Sequence, residues 1–122
     1  MKYVIMFTST PEYDAAVSPE VAQDVYARVY QWFQDNADSI EDSGAELQPV
    51  DAATTVRHGA TGAVVVDGPF TEAREAVGGF TLIDVADLDA AIALARTWPM
   101  LELEGTSVEI RPIVTDYSQF EQ

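Results

Sequence analysis

Residues 53–58 read ATTVRH, residues 59–62 GATG and residues 63–67 AVVVD. Two β-prone runs flank a four-residue loop bounded by glycines, which is a hairpin signature. With that loop, position 58 faces 63 and position 67 faces 54. Positions 63–66, Ala-Val-Val-Val, are apolar toward both faces. A sheet covered by helices on one side only should alternate apolar with polar residues. Something therefore covers the second face, and a second copy of the same sheet is the simplest cover. The stretch thus points to an isologous homodimer.

Upstream, KYVIMFT (2–8) reads as a first strand, with Tyr3, Ile5 and Phe7 on one face and Val4 and Met6 on the other. STPEYDAAVSPE is loop-like. Ser18 offers a helix N-cap, Pro19 suits the first helical position and Glu20 complements the helix N-terminus. Val21, Val25, Val29, Trp32, Phe33, Ala37 and Ile40 follow at helical spacing over about five to six turns, with Gly44 as the stop. AELQPV (45–50) reads as a short edge strand, where Pro49 is tolerated.

Downstream, residues 68–79 carry Gly68, Pro69, Gly78 and Gly79 and read as an ordered connection. GFTLIDV (79–85) is a further strand. Asp87 caps a second helix with Leu88, Ala91, Ile92 and Ala95 on one face and Pro99 beyond its end. SVEIRPIV (107–114) is the final strand, and residues 115–122 form a polar tail expected to fray. The order β-α-β-β-(β)-α-β predicts an α+β fold of the ferredoxin-like split βαβ type, an antiparallel sheet with two helices on one face.

The 122 residues suit a single domain spanning 1–122. The chain has no cysteine, which excludes a thiolate metal site or a cysteine nucleophile. Net charge is −15, from 21 acidic and 6 basic residues. Such a surface repels phosphate backbones and anionic lipid, so neither nucleic acid nor membrane is an expected partner. Its ordinary role is solubility; its other use is to attract a basic partner or a cationic ligand. The N-terminal apolar run is too short for a signal peptide, and no run reaches the ~18 residues of a membrane span. A cytoplasmic location is the expectation. There is no Walker motif, dinucleotide fingerprint or HExxH motif, and a single histidine makes a transition-metal site improbable. No cofactor and no metal are expected.

Asp67 stands where a β run meets a Gly-Pro turn. Its carboxylate either accepts backbone N–H bonds of the turn or serves a cleft as general base or ligand acceptor. His58 is four rungs from Asp67, about 13 Å, so no dyad forms within one hairpin. Arg57 and Arg111 lie on predicted strands. They serve either as structural ion pairs with Asp84, Glu109, Glu72 or Glu75, or as an anion clamp. Glu72, Arg74 and Glu75 brace one another if their loop takes a helical turn. Trp32, Phe33 and Trp98 read as core.

The segments Thr54-Thr55-Val56-Arg57, Val65-Val66-Asp67-Gly68-Pro69-Phe70-Thr71-Glu72-Ala73-Arg74-Glu75, Gly78-Gly79-Phe80 and Val108-Glu109-Ile110-Arg111-Pro112 together resemble the DGPF branch of the YCII-related superfamily. The resemblance runs over nearly the whole chain. It implies a ferredoxin-like unit that pairs into a dimeric α/β-barrel, with a ligand cleft near the sheet-to-sheet interface. On the matched motif, Arg57, Asp67, Phe70, Glu72, Arg74 and Arg111 are the candidate ligand-binding residues, and Asp67 is the catalytic candidate. It also implies a link to an extracytoplasmic-function sigma factor system. The family pattern has lysine where Arg74 stands, and a guanidinium does not form a Schiff base. His58 lies outside the motif and inherits no role. The expected function is a dimeric small-molecule-binding or regulatory module. The alternatives are a cofactor-free acid–base enzyme, lyase- or isomerase-like, acting on a small polar substrate in the dimer cleft, and a purely structural role.

Overall fold

The computed structural model describes residues 1–69 and 75–118. Six strands and three helices follow one another: β1 (Lys2–Ser9), α1 (Pro11–Asp14), α2 (Pro19–Asp35), β2 (Ile40–Glu46), β3 (Thr54–Arg57), β4 (Val64–Asp67), β5 (Ala76–Asp84), α3 (Leu88–Arg96) and β6 (Thr106–Pro112). Four strands make one sheet in the order β2-β5-β1-β6, with β5 antiparallel to β1 and β2 and β6 antiparallel to β1. β5 thus lies between the two strands joined by α2, which is the split βαβ arrangement of the ferredoxin-like fold. The expected α+β class stands.

Sheet register sorts the side chains. Tyr3, Ile5 and Phe7 share a face with Ile83 and Thr81 of β5 and with Ile110 and Val108 of β6. On this face Ile5 and Ile83 are fully buried, and Ala91 of α3 packs against them. Each such aliphatic side chain contributes about 1.5–3 kcal/mol by leaving water. The intervening positions Val4, Met6, Phe80 and Leu82 share the opposite face, which none of the described helices covers and where they are half-buried.

Both helices begin as the sequence predicts. The Ser18 hydroxyl accepts from Val21 N at 3.3 Å, and Asp87 Oδ1 accepts from Ala90 N at 2.9 Å. α2 buries Val25 and Trp32, two turns apart. α3 buries Ala91 and Ala95, whose small side chains let its backbone lie close to the sheet.

Two predicted elements change. The helix predicted through Ile40 ends at Asp35. Asn36 is the C-cap and leaves helical geometry at φ −108°: its backbone N–H makes the last helical bond to the Trp32 carbonyl at 3.1 Å, and its side-chain Nδ2 donates to the same oxygen at 2.8 Å. Asn, Asp and Ser in 36–39 are poor helix formers that bond to nearby backbone instead. Ile40 then opens β2, so the edge strand is 40–46 rather than 45–50. Gly44 is no helix stop but a strand glycine at φ 71°, where an added Cβ would lie 1.9 Å from the Phe80 carbonyl oxygen.

The hairpin forms with the predicted register, Thr54 opposite Asp67 and Arg57 opposite Val64. It stands as a separate two-stranded sheet, because β2 already occupies the place beside β5. The stretch read as loop, 10–17, contains the short helix α1. The predicted connection 68–79 already becomes strand at Ala76.

Candidate functional site

The strands β1 and β5 converge on α2 at the end of the sheet that carries Phe7 and Gly79. The two residues face each other across the ladder. Gly79 is buried, and a Cβ there would meet the Ala45 carbonyl at 2.9 Å, so only glycine lets β2 lie this close. Beside it Gly78 likewise brings no side chain. Phe7, Gly78 and Gly79 line a cavity of about 400 Å³ that lies against α2.

Aromatic rings build its floor. Phe7 and Trp98 stack with centroids 3.9 Å apart and planes 17° apart. Phe33 stands edge-on to Trp98 at 5.9 Å. Trp32 closes the cluster behind them, edge-on to both Phe7 and Trp98. Its indole N–H donates to Thr97 Oγ1 at 2.8 Å, which holds α2 to the end of α3. Ala22, Val25 and Val29 of α2 and Met100 and Leu103 complete the apolar wall.

Besides the hydroxyl residues Thr8, Ser43 and Thr106, the polar lining consists of two hydrogen-bonded pairs. The Tyr26 hydroxyl donates to Glu46 Oε1 at 2.9 Å, from α2 to the edge strand. That hydrogen bond, aided by partial burial and the negative charge of Glu46, raises the phenol above its ordinary value. Tyr26 is therefore held neutral, a donor and not a base. The Ser9 hydroxyl donates to Asp14 Oδ2 at 2.7 Å. Asp14, Tyr26 and Glu46 are the titratable side chains among the described residues that line the cavity. None of these is a lysine, arginine or histidine. No group of three or more His, Cys, Asp or Glu suited to a metal ion occurs among the described residues.

The described ligand-binding candidates, Arg57, Asp67 and Arg111, lie elsewhere. Asp67 is exposed at the end of β4, opposite Thr54. The turn after it is held by Gly68 N donating to the Ala53 carbonyl at 2.8 Å and by Thr55 Oγ1 donating to the Gly68 carbonyl at 2.7 Å. Arg57 is exposed on β3. Arg111 on β6 donates through Nε to Glu109 Oε2 at 2.5 Å, one of the ion pairs foreseen. That pair borders the open face, since Arg111 is opposite Val4 and Glu109 opposite Met6. Phe70, Glu72 and Arg74 lie outside the described residues. His58 follows β3 at the hairpin end.

The cavity residues Tyr26 and Glu46 escaped the sequence reading, and Trp98, Phe33 and Trp32 were read only as core. One signal was available. Two adjacent glycines inside a β-prone run mark a place where backbones approach closely or space is left open.

The model of the YCII-related domain matches residues 1–115. An uncharacterized protein of Rhizobium meliloti (strain 1021) is 45% identical over 69 residues, which make up 57% of this chain and 56% of that relative. The match therefore spans about half the length of the curated relative. Among solved structures, the 5-chloro-2-hydroxyhydroquinone dehydrochlorinase of Burkholderia phenoliruptrix AC1100, in complex with 2,5-dihydroxybenzoquinone, has 18% sequence identity and a TM-score of 0.46, over 89% of this chain and 91% of that one.

Proposed function

This chain belongs to the YCII-related family, and from that premise we propose that it is a small-molecule-binding module whose ligand occupies the cavity between α2 and the sheet. The observation that carries the reading is the cavity itself. Its volume of about 400 Å³ falls within the range of small-ligand sites, and its makeup is that of such sites: apolar and aromatic walls with a few placed polar groups. Binding without turnover is the favoured form. Acid–base chemistry needs a group poised to give up or take a proton near neutral pH. Tyr26 is pushed away from that range, and the carboxylates of Asp14 and Glu46 are on exposed residues.

The module acts as a homodimer in this reading. An isolated two-stranded hairpin is marginal in water. Here it exposes Val56 at 64% and Val65 at 69%, while Val4, Met6, Phe80 and Leu82 lie on an uncovered sheet face. A second copy is the simplest cover, since an isologous pair hides the same surface on both chains.

A titration with the neutral fluorophore N-phenyl-1-naphthylamine tests the cavity. Saturable enhancement is expected, weakened at least about tenfold by Ala22→Phe, which fills the space from α2. Equal binding by the wild type and Ala22→Phe, or no binding by either, would remove the cavity as the site.

A further inference from the structure

We propose that the cavity selects organic cations, specifically aromatic amines, over neutral or anionic molecules of the same shape. The inference rests on the binding reading above and adds the charge class of the ligand.

Three features carry it together. The first is the aromatic floor. The Phe7–Trp98 stack and the Phe33 ring present π-systems to the cavity, and such faces attract an ammonium group at close range. The second is the sign of the charges. Asp14 and Glu46 are both carboxylates, and no described lining residue bears a positive charge. A ligand carboxylate or phosphate would leave water for apolar walls and find no counter-charge, which is strongly unfavourable. An ammonium meets two carboxylates. The third is the hydrogen-bond inventory. Each carboxylate has one oxygen engaged by a donor of the protein, Glu46 Oε1 by Tyr26 and Asp14 Oδ2 by Ser9. The other oxygen of each is an acceptor available to a ligand, and an ammonium brings three donors and no acceptor. The Tyr26 and Ser9 hydroxyls are engaged by these carboxylates and the Thr106 hydroxyl by the Met100 and Leu103 carbonyls, so an acceptor-rich ligand gains less.

The distribution of charge over the molecule works in the same direction. At −15, the field around the chain raises the local concentration of small cations before they enter. That long-range contribution is screened by salt, whereas close contact with the aromatic walls is screened less.

The isosteric series tryptamine, tryptophol and indole-3-acetate tests the inference by displacement of N-phenyl-1-naphthylamine, repeated at low and at high salt. Tryptamine is expected to bind about tenfold more tightly than tryptophol and to keep most of that preference at high salt, with indole-3-acetate weakest. In the double variant Asp14→Asn/Glu46→Gln the tryptamine-to-tryptophol ratio is expected to fall toward one. In Asp38→Asn, which removes a charge away from the cavity, the ratio is expected to stay. Because the readout is a ratio within each protein, a general loss of affinity does not imitate the result. A ratio near one in the wild type, a preference abolished by salt, or a ratio unaltered in the double variant overturns the cation preference while the cavity stands as a site. Failure of the fluorophore itself to bind the wild type overturns the binding reading instead.

Discussion

The Tyr26 hydroxyl lies 2.9 Å from Glu46 Oε1 and donates to it, so the first half of α2 is tied to the edge strand across the cavity. The bond is also a titration statement. The folded protein holds the phenol proton more tightly than the unfolded chain does.

That difference predicts an alkaline response with a definite sign. A folded pKa above the unfolded value, about 10, means the stabilisation is complete below that value. It is lost as pH rises through the folded pKa. Following phenolate absorbance at 295 nm, one of the five tyrosines is expected to ionise later than the rest. In Tyr26→Phe this late component should vanish, and in Glu46→Gln it should move to lower pH. Identical titration curves for all three proteins would contradict the assignment.

Gly44 allows no side chain. Its φ is 71°, and a Cβ would fall 1.9 Å from the Phe80 carbonyl oxygen. Gly44→Ala is expected to lower stability by about 2–4 kcal/mol, as strained backbone positions do. Urea unfolding followed by circular dichroism measures it, and a loss below about 0.5 kcal/mol would show that β2 relaxes freely.

Burial separates the sheet from the hairpin. Ile83 is fully buried in the main core, whereas Val65 is 69% exposed in the single chain. Ile83→Ala is expected to cost about 2–5 kcal/mol. The same urea experiment checks it; a cost under about 1 kcal/mol would place Ile83 outside the core.

Val65→Asp addresses the assembly. Light scattering should give a two-chain mass for the wild type and a one-chain mass for the variant, with the circular dichroism of the two alike. A wild type that runs as a single chain at micromolar concentration would end the dimer reading.

The legible parts of this fold are those governed by local physics. Ser18 and Asp87 are caps because their side chains bond the nearest free N–H groups, a matter of three residues. The hairpin register follows from loop length, so Thr54 meets Asp67 as counted. Alternation in β1 showed two apolar faces. The end of α2 was illegible because Ala37 and Ile40 continue the helical spacing by coincidence, while Asn36 leaves helical geometry as the C-cap. The cavity was illegible for a different reason. Tyr26 and Glu46 are twenty positions apart and belong to different elements.

The sequence by itself determined the family, the α+β class, the capped helix starts and the strongly acidic surface, since motif order, short-range hydrogen bonds and summed charge need no knowledge of the folded chain. It takes the folded chain to set the hairpin apart from the sheet, to bring Gly78 and Gly79 to a cavity beside the stacked Phe7 and Trp98, and to put Asp14 and Glu46 on its border. Those are relations between elements distant along the chain, set by which strand fills the place beside β5 and by how closely α2 packs, and no local pattern encodes them.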